Sequence, residues 1–234
     1  MDNCPWNFLH DKQKHIVSLV GGGGKTTIMY ELGAFLLHQG CKVVATTTTH
    51  IWQPAQGYCA TWDQVERLWL ERSCVPTIGT VEAGTGKLVQ PAPELLTQAL
   101  RAADYVLVEA DGSKHLPCKV PREDEPVLLP ECDIVIAVAG MDALGRALDE
   151  VCFRWQLGGN IFAGSCNMLM DEFKMSALIA NERGGRKDVG SRAFYVALNK
   201  CELAAPEKLE RLRALLIEQG IGKENIWLRY GSRI

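Results

Sequence analysis

Five stretches of this chain read as strands that are apolar almost throughout, instead of on alternate residues. They are His15–Val20, Lys42–Thr46 ("KVVAT"), "YVLVEADG" from Tyr105, "CDIVIAVAG" from Cys132 and "AFYVALN" from Ala193. A strand that is apolar on both faces must be covered on both faces, which antiparallel sheets with one wet side do not require. The intervening segments carry helical signatures: Lys25–Gln39 closed by Gly40, Thr61–Arg72 with Thr61 as N-cap, Pro93–Ala102 and Pro206–Gln219, before a last strand near Asn225–Leu228. The alternation predicts an α/β fold of three layers, a mostly parallel sheet with helices on both faces. Ligands of such sheets bind at the carboxyl ends of strands, near a reversal of strand order.

With 234 residues, 47% of them hydrophobic, the chain suits a single domain over 1–234 with its core at 15–230. No repeat, low-complexity tract or linker divides it. The stretch 160–191, which contains "NERGGRKDVG", reads as a mobile insertion. A formal net charge of −3 gives no electrostatic reason to expect a nucleic acid or an anionic membrane as partner. No apolar run approaches the roughly 20 residues that span a bilayer, and the N-terminus has no basic region leading into an apolar one. A cytoplasmic protein is expected. The nine cysteines form no C-x-x-C pair and read as reduced, mostly buried thiols and not as a zinc site. Cys118 stands out, because neighbouring lysines would lower its pKa.

"SLVGGGGKTTIMYEL" (18–32) places four glycines between a strand and a helix. Small residues let backbone N–H groups converge on phosphate oxygens, with a helix N-terminus behind them. Gly21, Gly22, Gly23 and Gly24 supply the loop. Lys25 would reach the β- and γ-phosphates, Thr26 would hold Mg²⁺, and Thr27 would meet the α-phosphate. The usual spacing G-x-x-x-x-G-K-[ST] would put a glycine at Leu19, so the loop is shortened or recast. Val20 replaces the extra lysine of partition-type ATPases. "GTGK" at Gly84–Lys87 lacks a strand before it and a helix after it, and reads as a hairpin turn within Pro76–Val89.

Three further segments follow predicted strands. "VATTTTH" (44–50) offers threonine hydroxyls and His50 near the metal and γ-phosphate. "VLVEADGSK" (106–114) delivers Glu109 and Asp111, either of which suits a hard cation. Its Gly112 completes an acidic-x-x-Gly spacing whose N–H would meet the γ-phosphate. "VALNKCE" (196–202) ends in Asn199, Lys200 and Glu202, close to the guanine-reading Asn-Lys-x-Asp but with one extra methylene on the carboxylate. ATP and GTP therefore both remain candidates. In "SKHLPCKVPREDEPVLLP" (113–130) four prolines enforce an extended loop. Its Lys114, Lys119 and Arg122 are placed to clamp an anionic second substrate or a transferring phosphoryl group. Lys25, Asp111 and Lys119 are the expected catalytic groups, with Asp111 or His50 as general base.

Taken in order, "GGGGKTT", "TTTTH", "VEADGSKHLPCKVPREDEPVLLP", "AVAGMDALG" and "ALNKCE" resemble the YqeC family, whose members are described as accessory proteins for selenium-dependent molybdenum hydroxylases. The resemblance covers most of the chain, from Ile16 to about Glu202. It implies a P-loop NTPase fold, and a molybdenum hydroxylase client or its cofactor as partner. It carries over the glycine loop, Glu109, Asp111, Gly112, Lys114, Lys119, Glu125 and Pro126. Cys118 and Glu202 depart from the expected pattern. The leading expectation is an accessory protein that binds and hydrolyses a Mg²⁺–nucleotide. A small-molecule kinase or ATP-dependent ligase of the dethiobiotin synthetase type is one alternative. A nucleotide-gated binding protein with negligible turnover is the other.

Overall fold

The computed structural model of the protein describes residues 4–11, 13–162 and 168–231. Its main sheet has eight strands: β1 (His15–Gly21), β2 (Val43–Thr47), β3 (Tyr58–Cys59), β4 (Thr77–Ile78), β5 (Tyr105–Glu109), β6 (Ile134–Gly140), β7 (Ala193–Asn199) and β8 (Ile226–Leu228). They lie in the order β8-β7-β6-β1-β5-β2-β4-β3, with every neighbouring pair parallel. Six α-helices accompany them among the described residues: α1 (Lys25–His38), α2 (Trp62–Glu71), α3 (Pro93–Ala102), α4 (Leu148–Val151), α5 (Glu172–Ala180) and α6 (Pro206–Glu218). None is long and apolar enough to cross a membrane.

The strand residues divide by parity, because successive side chains leave a strand on opposite faces. Val17 and Leu19 of β1, with Leu107, Ile136 and Val138 from its neighbours, pack against Ile28, Met29, Leu32 and Leu36 of α1. Trp6 and Phe8 from the N-terminal segment join that cluster. Ile16 and Val20, with Val106, Val108, Val135 and Ala137, belong to a second cluster fed by α2, α3, α5 and α6. Two buried clusters flanking one sheet make the three-layer α/β arrangement expected from the continuously apolar strands, and its layout is P-loop-like.

β1 stands between β5 and β6, with Val17 in register with both Leu107 and Ile134. After β1 the chain passes through α1 to β2, leaving a gap that β5 later fills. It then crosses to the other side of β1 to lay down β6 and β7. The strand order therefore reverses at the carboxyl end of β1, where the glycine loop begins.

Three details differ from the sequence reading. The expected hairpin is narrower, pairing Thr80–Val81 with Lys87–Val89, and Ile51–Trp52 adds a third antiparallel strand to it. Tyr58–Cys59 forms the edge of the main sheet beside β4. Of the stretch 160–191, read as a mobile insertion, residues 163–167 lie outside the described residues and Glu172–Ala180 form α5, whose Met175, Leu178 and Ile179 are buried. Asp171 caps α5 by accepting the Lys174 N–H at 2.8 Å, and Gln219 at the end of α6 donates to Ser176 at 3.1 Å. The glycines of "ERGG" do not make a slack loop. Gly184 and Gly185 are turned back onto the end of α5, where the Gly185 N–H meets the Leu178 carbonyl at 2.8 Å. Leu178→Ala is accordingly expected to destabilise the protein by about 2–5 kcal/mol in urea unfolding. A truly mobile insertion would register less than about 0.5 kcal/mol.

Candidate functional site

The turn after β1 is built so tightly that only glycine fits. A Cβ on Gly21 would stand 2.4 Å from the Val138 carbonyl oxygen, and one on Gly23 would stand 2.3 Å from the Gly140 nitrogen. Gly23 and Gly24 also have positive φ angles, 79° and 115°. Three loop donors are already engaged: the Gly22 N–H bonds the Val138 carbonyl at 2.9 Å, the Gly23 N–H bonds the Leu116 carbonyl at 3.0 Å, and Gly21 bonds a carboxylate. The Gly21 N–H donates to Asp111 Oδ2 at 3.0 Å. Among the described residues, the N–H groups of Gly24, Lys25, Thr26 and Thr27 have no such partner. They form the N-terminus of α1, and they face the site with the positive end of the helix dipole.

This terminus opens on a cavity of about 660 Å³. Lys25, Thr26, Thr27, Glu109 and Gly112 line it, together with Thr49 and His50 from the end of β2. The two acidic candidates are separated by the structure. Glu109 faces the cavity and accepts a 2.5 Å hydrogen bond from the Thr26 hydroxyl. Burial raises the Glu109 pKa above the ordinary value, against the opposing pull of Lys25 and Thr26. Asp111 lies out of the cavity, only 2% exposed, wedged between Lys25 Nζ at 3.2 Å and Lys119 Nζ at 3.3 Å. The Lys25 ammonium folds back onto the Gly21 carbonyl at 2.6 Å, with Glu109 at 3.8 Å.

Lys119 does not face the cavity. Its fully buried ammonium donates to Glu125 at 2.6 Å and to the Gly112 carbonyl at 2.9 Å. Glu125 in turn accepts from Arg154 at 2.5 Å and from the Arg122 N–H at 3.2 Å. Burial works against the Glu125 carboxylate, but the Lys119, Arg122 and Arg154 donors outweigh it and hold its pKa below the ordinary value. Lys119 thus ties the proline-rich segment to the end of β5, with its ammonium outside the cavity.

Three of the four threonines are structural. Thr46 donates to the Ile78 carbonyl at 3.0 Å, Thr47 to Glu109 O at 2.9 Å and Thr48 to Val127 O at 2.7 Å. Thr49 alone of the four lines the cavity, and His50 beside it is paired with Glu82 at 3.2 Å. The base-reading candidates lie outside it. Asn199 braces the loop through a 2.7 Å bond from its amide to the Gly23 carbonyl. Lys200 pairs with Asp142 at 2.7 Å, and Glu202 accepts the Gly231 N–H at 2.7 Å. The cysteine expectation reverses. Cys118 is buried beside Cys152 on paired positions of two short parallel strands. A hydrogen bond with the Cys152 thiol, and then burial, push the Cys118 thiol well above its ordinary pKa. The adjacent Lys119 spends its charge on carboxylates instead.

The cavity is also lined by Trp52, Phe153 and Arg154, to which no motif pointed, and by Lys87, read only as the end of a hairpin turn. Trp52 and Lys87 come from the small antiparallel sheet. Arg154 lies over the Phe153 ring at 4.2 Å. A tryptophan at a strand end and an arginine in no pattern carry no signal until the fold brings them to one cleft.

The model of the YqeC protein family matches residues 17–156. The chain belongs to the YqeC family. A relative from Escherichia coli strain K12, described as uncharacterized protein YqeC, is 30% identical over 228 residues, which cover 93% of this chain and 88% of the relative. The family match spans the glycine loop, Glu109 to Gly112, the proline-rich segment and Arg154, and it ends before Asn199.

Two outcomes follow from this geometry. Gly23→Ala should destabilise the protein by well over about 1 kcal/mol, since strain at positive φ is compounded by a backbone clash. Gly84→Ala, with φ of 81° but open space around it, should cost only the conformational part. Thermal melts compare the two. Glu125, whose folded pKa is depressed, contributes stability that is complete above the ordinary value of 4.5. That contribution is lost as pH falls below this value and through the folded pKa. Glu125→Gln should therefore flatten the acid limb of a stability–pH profile in that window.

Proposed function

We propose that this YqeC-family protein binds a Mg²⁺–nucleoside triphosphate at the N-terminus of α1 and hydrolyses it or transfers its γ-phosphoryl group. The observation that carries this reading is the convergence at one cavity mouth of the α1 N–H groups, Lys25, and the Thr26–Glu109 pair. A threonine hydroxyl beside a carboxylate suits Mg²⁺, which keeps waters and takes substrate phosphates for its remaining ligands. A cage of three or more His, Cys, Asp or Glu side chains, absent among the described residues, is not needed for such a site. Lys25 would leave the Gly21 carbonyl to meet the β- and γ-phosphates. The Gly112 N–H, at the cavity wall, would meet the γ-phosphate. Asp111 and Lys119 position the loop and do not touch the nucleotide. As the sequence resemblance implies, the physiological role is maturation of a selenium-dependent molybdenum hydroxylase in the cytoplasm, with that client or its cofactor as the partner.

A phosphotransferase is favoured over an idle nucleotide switch by the charge of the cavity. Its lining carries Lys25, Lys87, Lys114, Arg122 and Arg154 against Glu109 and Glu125, in a chain whose net charge is −3. More cations are gathered here than the nucleotide itself employs, which suits a second anionic reactant.

Calorimetric titration with ATP and with GTP, each with and without Mg²⁺, tests the reading. One nucleotide should bind in the micromolar range or tighter, about −8 kcal/mol, and Lys25→Ala should abolish it. Glu109→Gln should remove the Mg²⁺ dependence while leaving metal-free binding. Glu202→Gln should change the ATP-to-GTP preference if that carboxylate leaves Gly231 to read guanine, and should leave it unchanged otherwise. Equal binding by wild type and Lys25→Ala, or no binding of either nucleotide, would sink the proposal.

A further inference from the structure

We infer that the part of the cavity lined by Trp52, Lys87, Lys114 and Phe153 is a subsite for a second substrate, an anion with a flat, unsaturated ring system. It would stack on Trp52 and be neutralised by Lys87 and Lys114. The inference deepens the nucleotide reading by naming the substrate class that would face the γ-phosphate, and it rests on that reading only for what lies opposite.

Three observations support it. First, Trp52 lines the cavity yet is 57% exposed. An indole left more than half open to water at a cavity wall still offers a large apolar face, and such faces stack sequence-tolerantly on aromatic rings. Lys87 Nζ lies 5.1 Å from the Trp52 ring centroid, so ring and cation are presented as one unit. Second, Lys87 and Lys114 have no carboxylate within ion-pair distance among the described residues. Glu125, the nearby acid, is already taken by Lys119 and Arg154. Glu82, the cross-strand neighbour of Lys87, acts on it only from beyond ion-pair distance and is bonded to Thr85 and His50, so two ammonium groups without a direct ion pair remain at one cavity to attract an anion.

Third, Lys114 and His115 both occupy left-handed backbone conformations, with φ of 50° and 65°. Consecutive non-glycine residues in that region cost energy and persist where the surrounding structure holds them. Here the conformation sets the Lys114 ammonium 5.2 Å from the Phe153 ring, at the cavity wall. These groups come from the small antiparallel sheet, the loop after β5 and the strand at Phe153, and none belongs to the glycine loop. The volume of about 660 Å³ lies within the usual range for small-molecule sites.

The test uses the full chain and a fluorescent ring anion, anilinonaphthalene sulfonate, with the uncharged phenylnaphthylamine as its control. The anion should bind saturably at one site. Trp52→Ala and Lys114→Ala should each weaken it by at least about tenfold, the size of losing one stacking or charge contact. The uncharged ring should bind at least about tenfold more weakly for the same reason. Both substituted side chains are exposed, and unchanged melting temperatures confirm that the variants fold. Trp52→Ala should leave Mg²⁺–ATP affinity within about twofold, as expected for a site separate from the α1 N-terminus. Non-saturable binding, equal affinity for the uncharged ring, or affinity unchanged in either variant overturns the subsite. If nucleotide binding fails while these losses appear, the nucleotide reading falls and the subsite stands.

Discussion

Asp111 is the point on which the site is assembled. One carboxylate oxygen takes the Gly21 N–H and lies near the Lys119 ammonium, while the other faces Lys25. It is the middle of a chain of alternating charges that runs Glu109, Lys25, Asp111, Lys119, Glu125, Arg154. Each interior charge of that chain, Lys25, Asp111, Lys119 and Glu125, has an opposite charge on both sides, which is the condition under which buried ions are tolerated. Removing one member would strand its neighbours, at a cost of roughly 3–5 kcal/mol for a broken buried pair. The chain joins three elements distant in sequence: the glycine loop, the end of β5 and the proline-rich segment. It also fixes which acid meets the cavity, because Asp111 is consumed and Glu109 is left beside Thr26.

The layers were legible in the sequence because continuous apolar runs admit few alternatives. Strand β1, helix α1 with its Gly40 terminus and the Pro93–Ala102 helix all appear within a residue or so of their expected places. Two-residue strands such as Tyr58–Cys59 leave no periodic trace, and only pairing with β4 defines them. Helix α5 was hidden for another reason. Its nine residues bury Lys174 and Ser176 along with Met175, Leu178 and Ile179, so no clean polar face marks it, and the glycines that follow resemble a slack loop.

At the site, residue identity was legible and orientation was not. Glu109 and Asp111 are two residues apart, and from sequence either suits a metal. Only the third dimension shows one facing the cavity and the other locked behind the loop. Lys119 likewise carried the right charge in the right segment, yet its ammonium points inward. The hydroxyls of Thr46, Thr47 and Thr48 were read as site donors, but backbone carbonyls at strand ends need partners, and those partners took them. The aromatic and basic part of the lining had no motif of its own, because its members are brought together by the small sheet and the loop after β5.

The recast loop has a consequence for how this site must hold an anion. A longer phosphate loop offers its own N–H groups along the whole turn. Here Gly22 and Gly23 have given theirs to the Val138 and Leu116 carbonyls, which is what draws β6 and the 112–117 segment against the loop. The free donors are confined to the first turn of α1, where the dipole effect falls off within a turn. Charge on a polyanion extending beyond that turn must then be met by side chains. Lys114 and Lys87 line the same cavity. The compact glycine turn and the basic lining are thus two halves of one solution, a short cradle for the phosphates and a distributed set of cations for whatever lies past them.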